Sequence, residues 1–193
     1  MFAPDVATVY PFGTENATVV AVPGISENFC GSFRPGHFNG VTTVVARLFA
    51  LVQPDVAVFG QKDYQQQLVI RRMAEDLSLP IRIITAATIR DDDGLALSSR
   101  NAYLSDAERG VAPKLYQVLC EVASQLENGK RNFEELEDQA ISELTEAGFG
   151  PDYLAIRRAL DLTMPNRDCD EVVVLAAAHL GKARLIDNVV VAV

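Results

Sequence analysis

The sequence predicts an α/β protein in two parts: a strand–helix–strand unit, then a small α+β domain with helices over an antiparallel sheet. Three observations carry this reading. The apolar runs Val56–Phe59 and Ile81–Thr85 flank a stretch with apolar residues at helical spacing, the pattern of a βαβ unit with parallel pairing. Beyond Ile89 the pattern changes to helix, helix and then short strands, which favours helices packed on an antiparallel sheet. The chain has 193 residues, of which 49% are hydrophobic, enough for one large core or two small ones. The boundary is placed near Ile89, giving domains 1–88 and 89–193.

Met1 to Ala17 mix Pro4, Pro11 and Gly13 with few periodic apolar residues and read as loop, with room for a short helix at Asp5–Tyr10. Thr18–Val22 is short and β-branched, so a strand, ended by Pro23-Gly24. Ile25 to Gly36 is loop or short helix, with Arg34 as a surface charge. A helix is predicted from His37 to Val52, its face formed by Val41, Val44, Val45, Leu48, Phe49 and Val52. Pro54 stops it. Gly40, inside the helix, costs stability and suggests close packing.

Val56–Phe59 reads as a buried strand, because a continuous apolar run implies cover on both faces. The helix after it, 63–76, places Val69, Ile70, Met73, Ala74 and Leu77 inward. Ala86 to Asn101 is loop-like, and Asp91, Asp92 and Asp93 read as a solvated turn. Ser105 with Glu108 forms a capping box, and Pro113 separates that helix from the next. Leu115, Val118, Leu119, Val122 and Leu126 make an apolar stripe that also takes in Cys120; Gly129 closes it. Asn132 caps a further helix, with Phe133, Leu136, Ala140, Ile141 and Leu144 inward. Tyr153–Ile156, Val172–Ala177 and two runs within Ala183–Val193 are strands, with Gly181 supplying a tight turn.

The formal net charge of −9 argues against general binding to nucleic acid or anionic membranes. An anionic ligand would then need a local basic site. Cys30, Cys120 and Cys169 are odd in number and widely spaced. They suggest neither zinc nor redox chemistry and read as reduced thiols in a cytoplasmic protein. No apolar run is long enough to predict a membrane span, and no secretory leader pattern opens the sequence.

Phe59-Gly60-Gln61-Lys62-Asp63-Tyr64-Gln65-Gln66 is the stretch with the clearest chemistry. It puts a lysine between a strand exit and a helix entrance, where open α/β sheets bind ligands. Gly60 allows a sharp turn and close approach. Backbone N–H groups at the helix start, with Lys62, favour an anion. A second local reading stands beside this one: Asp63 and Gln66 form a capping box, and Lys62 is a solvated surface lysine.

Three motifs, in order, resemble those of the pantoate–β-alanine ligase (pantothenate synthetase) family. Gly60-Gln61-Lys62-Asp63-Tyr64-Gln65-Gln66 resembles G-E-K-D-[FY]-Q-Q. Asp93-Gly94-Leu95-Ala96-Leu97-Ser98-Ser99-Arg100-Asn101 resembles D-G-L-A-[LM]-S-S-R-N. Arg34-Pro35-Gly36-His37-Phe38-Asn39-Gly40-Val41 resembles R-P-x-H-F-x-G-V. The likeness runs from Phe2-Ala3-Pro4 to Leu185-Ile186-Asp187-Asn188. Two departures stand out. Gln61 replaces the usual glutamate, and the family's P-T-M-G-x-L-H-x-G-H motif is not found. Neither His37 nor His179 lies in an H-x-G-H pattern.

The resemblance implies an incomplete Rossmann-like ATP- and pantoate-binding domain, 1–88, and a C-terminal lid domain, 89–193. It implies ATP-dependent condensation of pantoate with β-alanine through a pantoyl adenylate, releasing AMP and pyrophosphate. Lys62, Ser98, Ser99 and Arg100 would carry the catalysis as a phosphate clamp. ATP contacts are implied for Gly60, Gln61, Lys62, Asp63, Ile89, Leu97, Ser98, Ser99 and Arg100, with Ile89 offering backbone groups. Gln66 would bind pantoate. His37 would line or support the site. Mg²⁺ would be held largely by ATP phosphates, with no protein metal ligands, and a homodimer is implied. Without the histidine motif these 193 residues alone are expected to be inactive. The rival readings are a non-catalytic nucleotide-binding fragment of the same fold and an interaction protein built on the C-terminal domain.

Overall fold

The computed structural model describes residues 1–166 and 169–193. By internal contacts the chain divides into two compact units: Met1–Phe59 with Gln65–Thr85, and Gly60–Tyr64 with Ala86–Val193. Among the described residues no helix is long and apolar enough to cross a membrane.

The first unit contains α1 (Val6–Val9), α2 (Cys30–Phe33) and α3 (His37–Val52), then most of β1 (Val56–Gly60), of α4 (Tyr64–Asp76) and of β2 (Arg82–Ala86). The two strands pair in a two-stranded sheet, joined by a helical crossover, the connection that accompanies parallel pairing. Asp5 caps α1 through the Thr8 N–H. α3 ends at Gln53, whose left-handed conformation turns the chain before Pro54. The core joins Val22, Phe38 and Phe49 to Val69, Ile70 and Met73.

Several sequence expectations change in this unit. Thr18–Val22 is not a strand among the described residues. A strand needs a neighbouring ladder, and here the Val20 N–H donates to Thr43 Oγ1 while Thr42 Oγ1 donates to the Val20 carbonyl. Thr42 and Thr43 are therefore buried, whereas Val52, in the last turn of α3, is half exposed. β1 is not a buried strand: its residues alternate between exposed and partly covered, and Val58 is 61% exposed. Leu77 lies past the end of α4 and is exposed. Gly40 has open space where a side chain would stand, so no close packing explains it.

The second unit contains α5 (Asp106–Val111), α6 (Lys114–Glu127), α7 (Phe133–Glu146) and the strands β3 (Gly150–Arg158), β4 (Glu171–Leu180) and β5 (Ala183–Ala192). The sheet order is β3-β4-β5, antiparallel throughout, with Ile156 opposite Val174 and Val174 opposite Val189. Ser105 and Glu108 make the reciprocal capping box of α5. Leu115, Val118, Leu119, Val122 and Leu126 of α6 are all buried. They pack with Leu136, Ala140 and Leu144 of α7 on Val172, Val174, Ala176 and Ala178 of β4. The two runs expected within 183–193 are one continuous strand, because every residue from Ala183 to Ala192 pairs with β4 across the turn at Gly181.

Other details depart from expectation. Cys120 is only half buried. Asn132 occupies the cap position of α7 without a capping bond; its amide donates to the Glu135 carboxylate instead. Asp91 and Asp93 are not simply solvated, since both grip the Arg109 guanidinium, at 2.9 and 2.5 Å. That clasp and the Leu95 N–H hold the Asp93 carboxyl below its ordinary range.

Candidate active site

β1 ends at Gly60, and a 3₁₀ turn, Gln61–Asp63, leads directly into α4. Gly60 has φ −71° and ψ 136°, ordinary extended backbone, so the turn does not require glycine. A Cβ there would meet open space, so Gly60 is not needed to avoid a clash within the chain. No Asp63–Gln66 capping box forms, because the helical geometry is already established at Asp63 and Tyr64. Neither side chain has a hydrogen bond among those found in the described residues.

The turn carrying Lys62 is held from two directions within the second unit. Asn188 Nδ2 donates to the carbonyls of Gln61 and Lys62 at 2.9 and 3.0 Å. The Tyr64 hydroxyl donates to the Ala159 carbonyl at 2.8 Å. Lys62 itself lines a cleft with Ala96, Ser98, Asn101, Tyr116, Arg184 and Asp187. Its ammonium forms no ion pair within the described residues. By contrast, Arg90, Arg109, Arg157 and Arg184 are each committed to a carboxylate. A half-buried cation left without a protein counter-charge is available to an anion.

Ser98 precedes a second 3₁₀ turn, Ser99–Tyr103, and its hydroxyl accepts the Arg100 N–H at 3.2 Å. This is the local turn role open to any serine, yet it leaves the hydroxyl proton free to donate. Ser99 and Arg100 are exposed, and the Arg100 guanidinium has no ion pair among the described residues. The loop before them is pinned by a bridge between Arg90 and Ala96, and the Leu97 N–H donates to the Ile89 carbonyl. That carbonyl is thus occupied, while the Ile89 and Leu97 side chains face solvent.

Gln66 lies in the first unit, partly covered. Its two neighbours are engaged elsewhere. Gln65 is buried and bonds Ile25, Asn28 and Cys30. Gln67, with its amide oriented to satisfy its neighbours, accepts from Arg71 and Thr85. Of the three glutamines, Gln66 is the one with a side chain uncommitted among the described residues. His37 Nε2 lies 3.0 Å from Arg34 Nη1.

The sequence reading missed the polar support under this site. Asp187, 4% exposed, forms a two-point pair with Arg90 at 2.5 and 2.9 Å. Arg90 also lies 3.4 Å above the Tyr116 ring. The available signal was Asp187-Asn188 standing inside an apolar strand, because buried polar residues demand partners.

An ammonium without an ion pair among the described residues and the Ser98–Arg100 turn thus lie in one unit, donor types that suit an anion. The model of the family "Pantoate-beta-alanine ligase" matches residues 1–190, and the chain belongs to that family. It is 54% identical to the pantothenate synthetase of Stutzerimonas stutzeri over 99% of this chain and 67% of that protein. It is 56% identical to that of Ectopseudomonas mendocina over the same shares, 99% and 67%. The chain thus spans about two thirds of the length of these curated relatives.

Solved structures agree. The pantothenate synthetase of Thermus thermophilus superposes with a TM-score of 0.90 at 44% identity, covering 97% of this chain and 68% of that one. The pantoate–β-alanine ligase of Francisella tularensis, crystallised with β-γ ATP and β-alanine, gives 0.69 at 30% identity, covering 95% and 61%.

Proposed function

We propose that these residues serve the ATP-dependent condensation of pantoate with β-alanine. A carboxylate is a poor electrophile because it is anionic and would have to expel oxide. ATP solves this by converting pantoate to a pantoyl adenylate with release of pyrophosphate. The β-alanine amine then attacks the acyl carbon, and AMP departs. The protein's part is to align pantoate with the α-phosphate and hold the triphosphate charge.

The observation that carries this reading is the uncommitted Lys62 ammonium in the cleft that Ser98 also lines. Lys62 acts as a point cation on phosphate oxygens, Ser98 and Ser99 donate hydroxyl protons, and Arg100 supplies a two-pronged fork. Gly60, Gln61, Asp63, Ile89 and Leu97 line the nucleotide, and Gln66 holds pantoate. Residues 1–88 form the ATP- and pantoate-binding part and 89–193 the lid. The nucleotide arrives with Mg²⁺ on its phosphates. No group of three or more His, Cys, Asp or Glu side chains that could hold a metal is found among the described residues. The homodimer and the cytoplasmic location belong to the same proposal.

The 193 residues contain no H-x-G-H motif, and by themselves they are proposed not to form pantothenate at a useful rate. The test is to isolate the natural polypeptide carrying these residues, weigh it, and supply pantoate, β-alanine and ATP. A natural polypeptide that extends beyond these residues should form pantothenate, AMP and pyrophosphate in equal amounts; ADP and phosphate, or no consumption of ATP, would overturn the reading, and robust turnover by the 193 residues alone would overturn their inactivity.

A further inference from the structure

We propose that Asn188 is a positioning residue for Lys62, a role that rests on Lys62 acting as the phosphate-binding cation. Lys62 forms no ion pair among the described residues. The place of its charge is therefore set through its backbone. The Asn188 amide spends both protons on that backbone, at the carbonyls of Gln61 and Lys62. The two ends of this contact lie 127 and 126 positions apart in sequence.

Stability alone does not account for the arrangement. Asn188 is 3% exposed, and burying a carboxamide carries a desolvation cost that an apolar residue would avoid. Gln61 and Lys62, whose carbonyls receive it, are only partly covered. The buried amide ties two carbonyls of a partly covered turn to β5, and what it adds there is a defined position.

The mount is itself stiff. Alternate residues of a strand point to opposite faces. On one face of β5, Asp187 is held by Arg90, which stacks on Tyr116 of α6. On the other, Asn188 reaches the Lys62 turn. The Asn188 N–H donates to Asp187 Oδ1 at 2.8 Å, joining the two. The Tyr64–Ala159 bond then holds the far side of the turn.

The test compares Asn188→Ala, Lys62→Ala, the double variant and Val189→Ala in this chain, titrated with a non-hydrolysable ATP analogue. Val189→Ala trims the core side of the same strand and removes no donor. Asn188→Ala should weaken the analogue about tenfold, the size of one to two hydrogen bonds. It should also speed amide exchange at 61–64, and the double variant should be no weaker than Lys62→Ala alone. Additive losses in the double variant would overturn positioning. So would an equal loss in Val189→Ala at matched thermal stability. A full loss in Lys62→Ala with normal affinity in Asn188→Ala overturns the positioning role alone. Normal affinity in Lys62→Ala overturns the reading on which it rests.

Discussion

Replacing Lys62 with alanine separates binding from folding more cleanly than any other single change here. The ammonium forms no ion pair among the described residues and the side chain is only partly covered. Removing it should therefore change folding stability by no more than about 0.5 kcal/mol, the range for surface substitutions. A hydrogen bond to a charged phosphate is worth about 1.5–3 kcal/mol. At about 1.4 kcal/mol per decade, that is roughly ten- to 150-fold in affinity for ATP. Titration calorimetry with an ATP analogue reads the affinity, and thermal melting reads the stability. The loss should shrink as salt is added, because the turn is open enough for screening. Affinity within about twofold of the parent would remove Lys62 from the site, since even a weak charge-assisted bond exceeds that. A collapse of the melt would mean that the lysine serves the fold.

Three further outcomes follow from the same geometry. Gln66→Glu should leave stability unchanged, since a negative charge near the start of α4 is favourable. In the natural polypeptide carrying these residues it should raise the pantoate concentration needed for ATP-dependent adenylation by repelling the pantoate carboxylate; normal pantoate dependence there would remove Gln66 from that role. Asp187→Asn should lower stability by about 3 kcal/mol, because it leaves the Arg90 guanidinium without its counter-charge, seen as a lower urea midpoint at unchanged slope. Glu108 is held below its ordinary range by the Ser105 N–H and hydroxyl. A depressed carboxylate stabilises above its unfolded value, and that contribution is lost as pH falls through the folded one. Amide exchange at 105–108 should therefore quicken as pH falls below about 4.3, after correction for intrinsic rates, and Glu108→Gln should lose that extra dependence.

Local periodicity made much of this fold legible in the sequence. α3 and α6 could be read because apolar residues recur on one face, and α5 because Ser105 and Glu108 are three apart. Lys62 could be singled out because strand, glycine and lysine stand side by side. What escaped depends on distant partners. Thr18–Val22 has the composition of a strand, but the threonines of α3 take up the N–H and carbonyl of Val20 at its centre. Asp91 and Asp93 look like a solvated turn until Arg109, sixteen to eighteen residues on, closes over them. Asn188 could not be connected to Lys62 from spacing, since only the path of β5 brings them together. The exposure of Val58 escaped for a similar reason: cover is a property of neighbours and not of the run itself.

The central claim is that the Lys62 turn and the Ser98–Arg100 turn hold one triphosphate. Hydrogen exchange of this chain with and without a saturating ATP analogue tests it directly. Amides at 60–64 and at 94–101 should both slow, while the α6–α7 core stays unchanged. Unaltered exchange across both turns at saturation would contradict the claim.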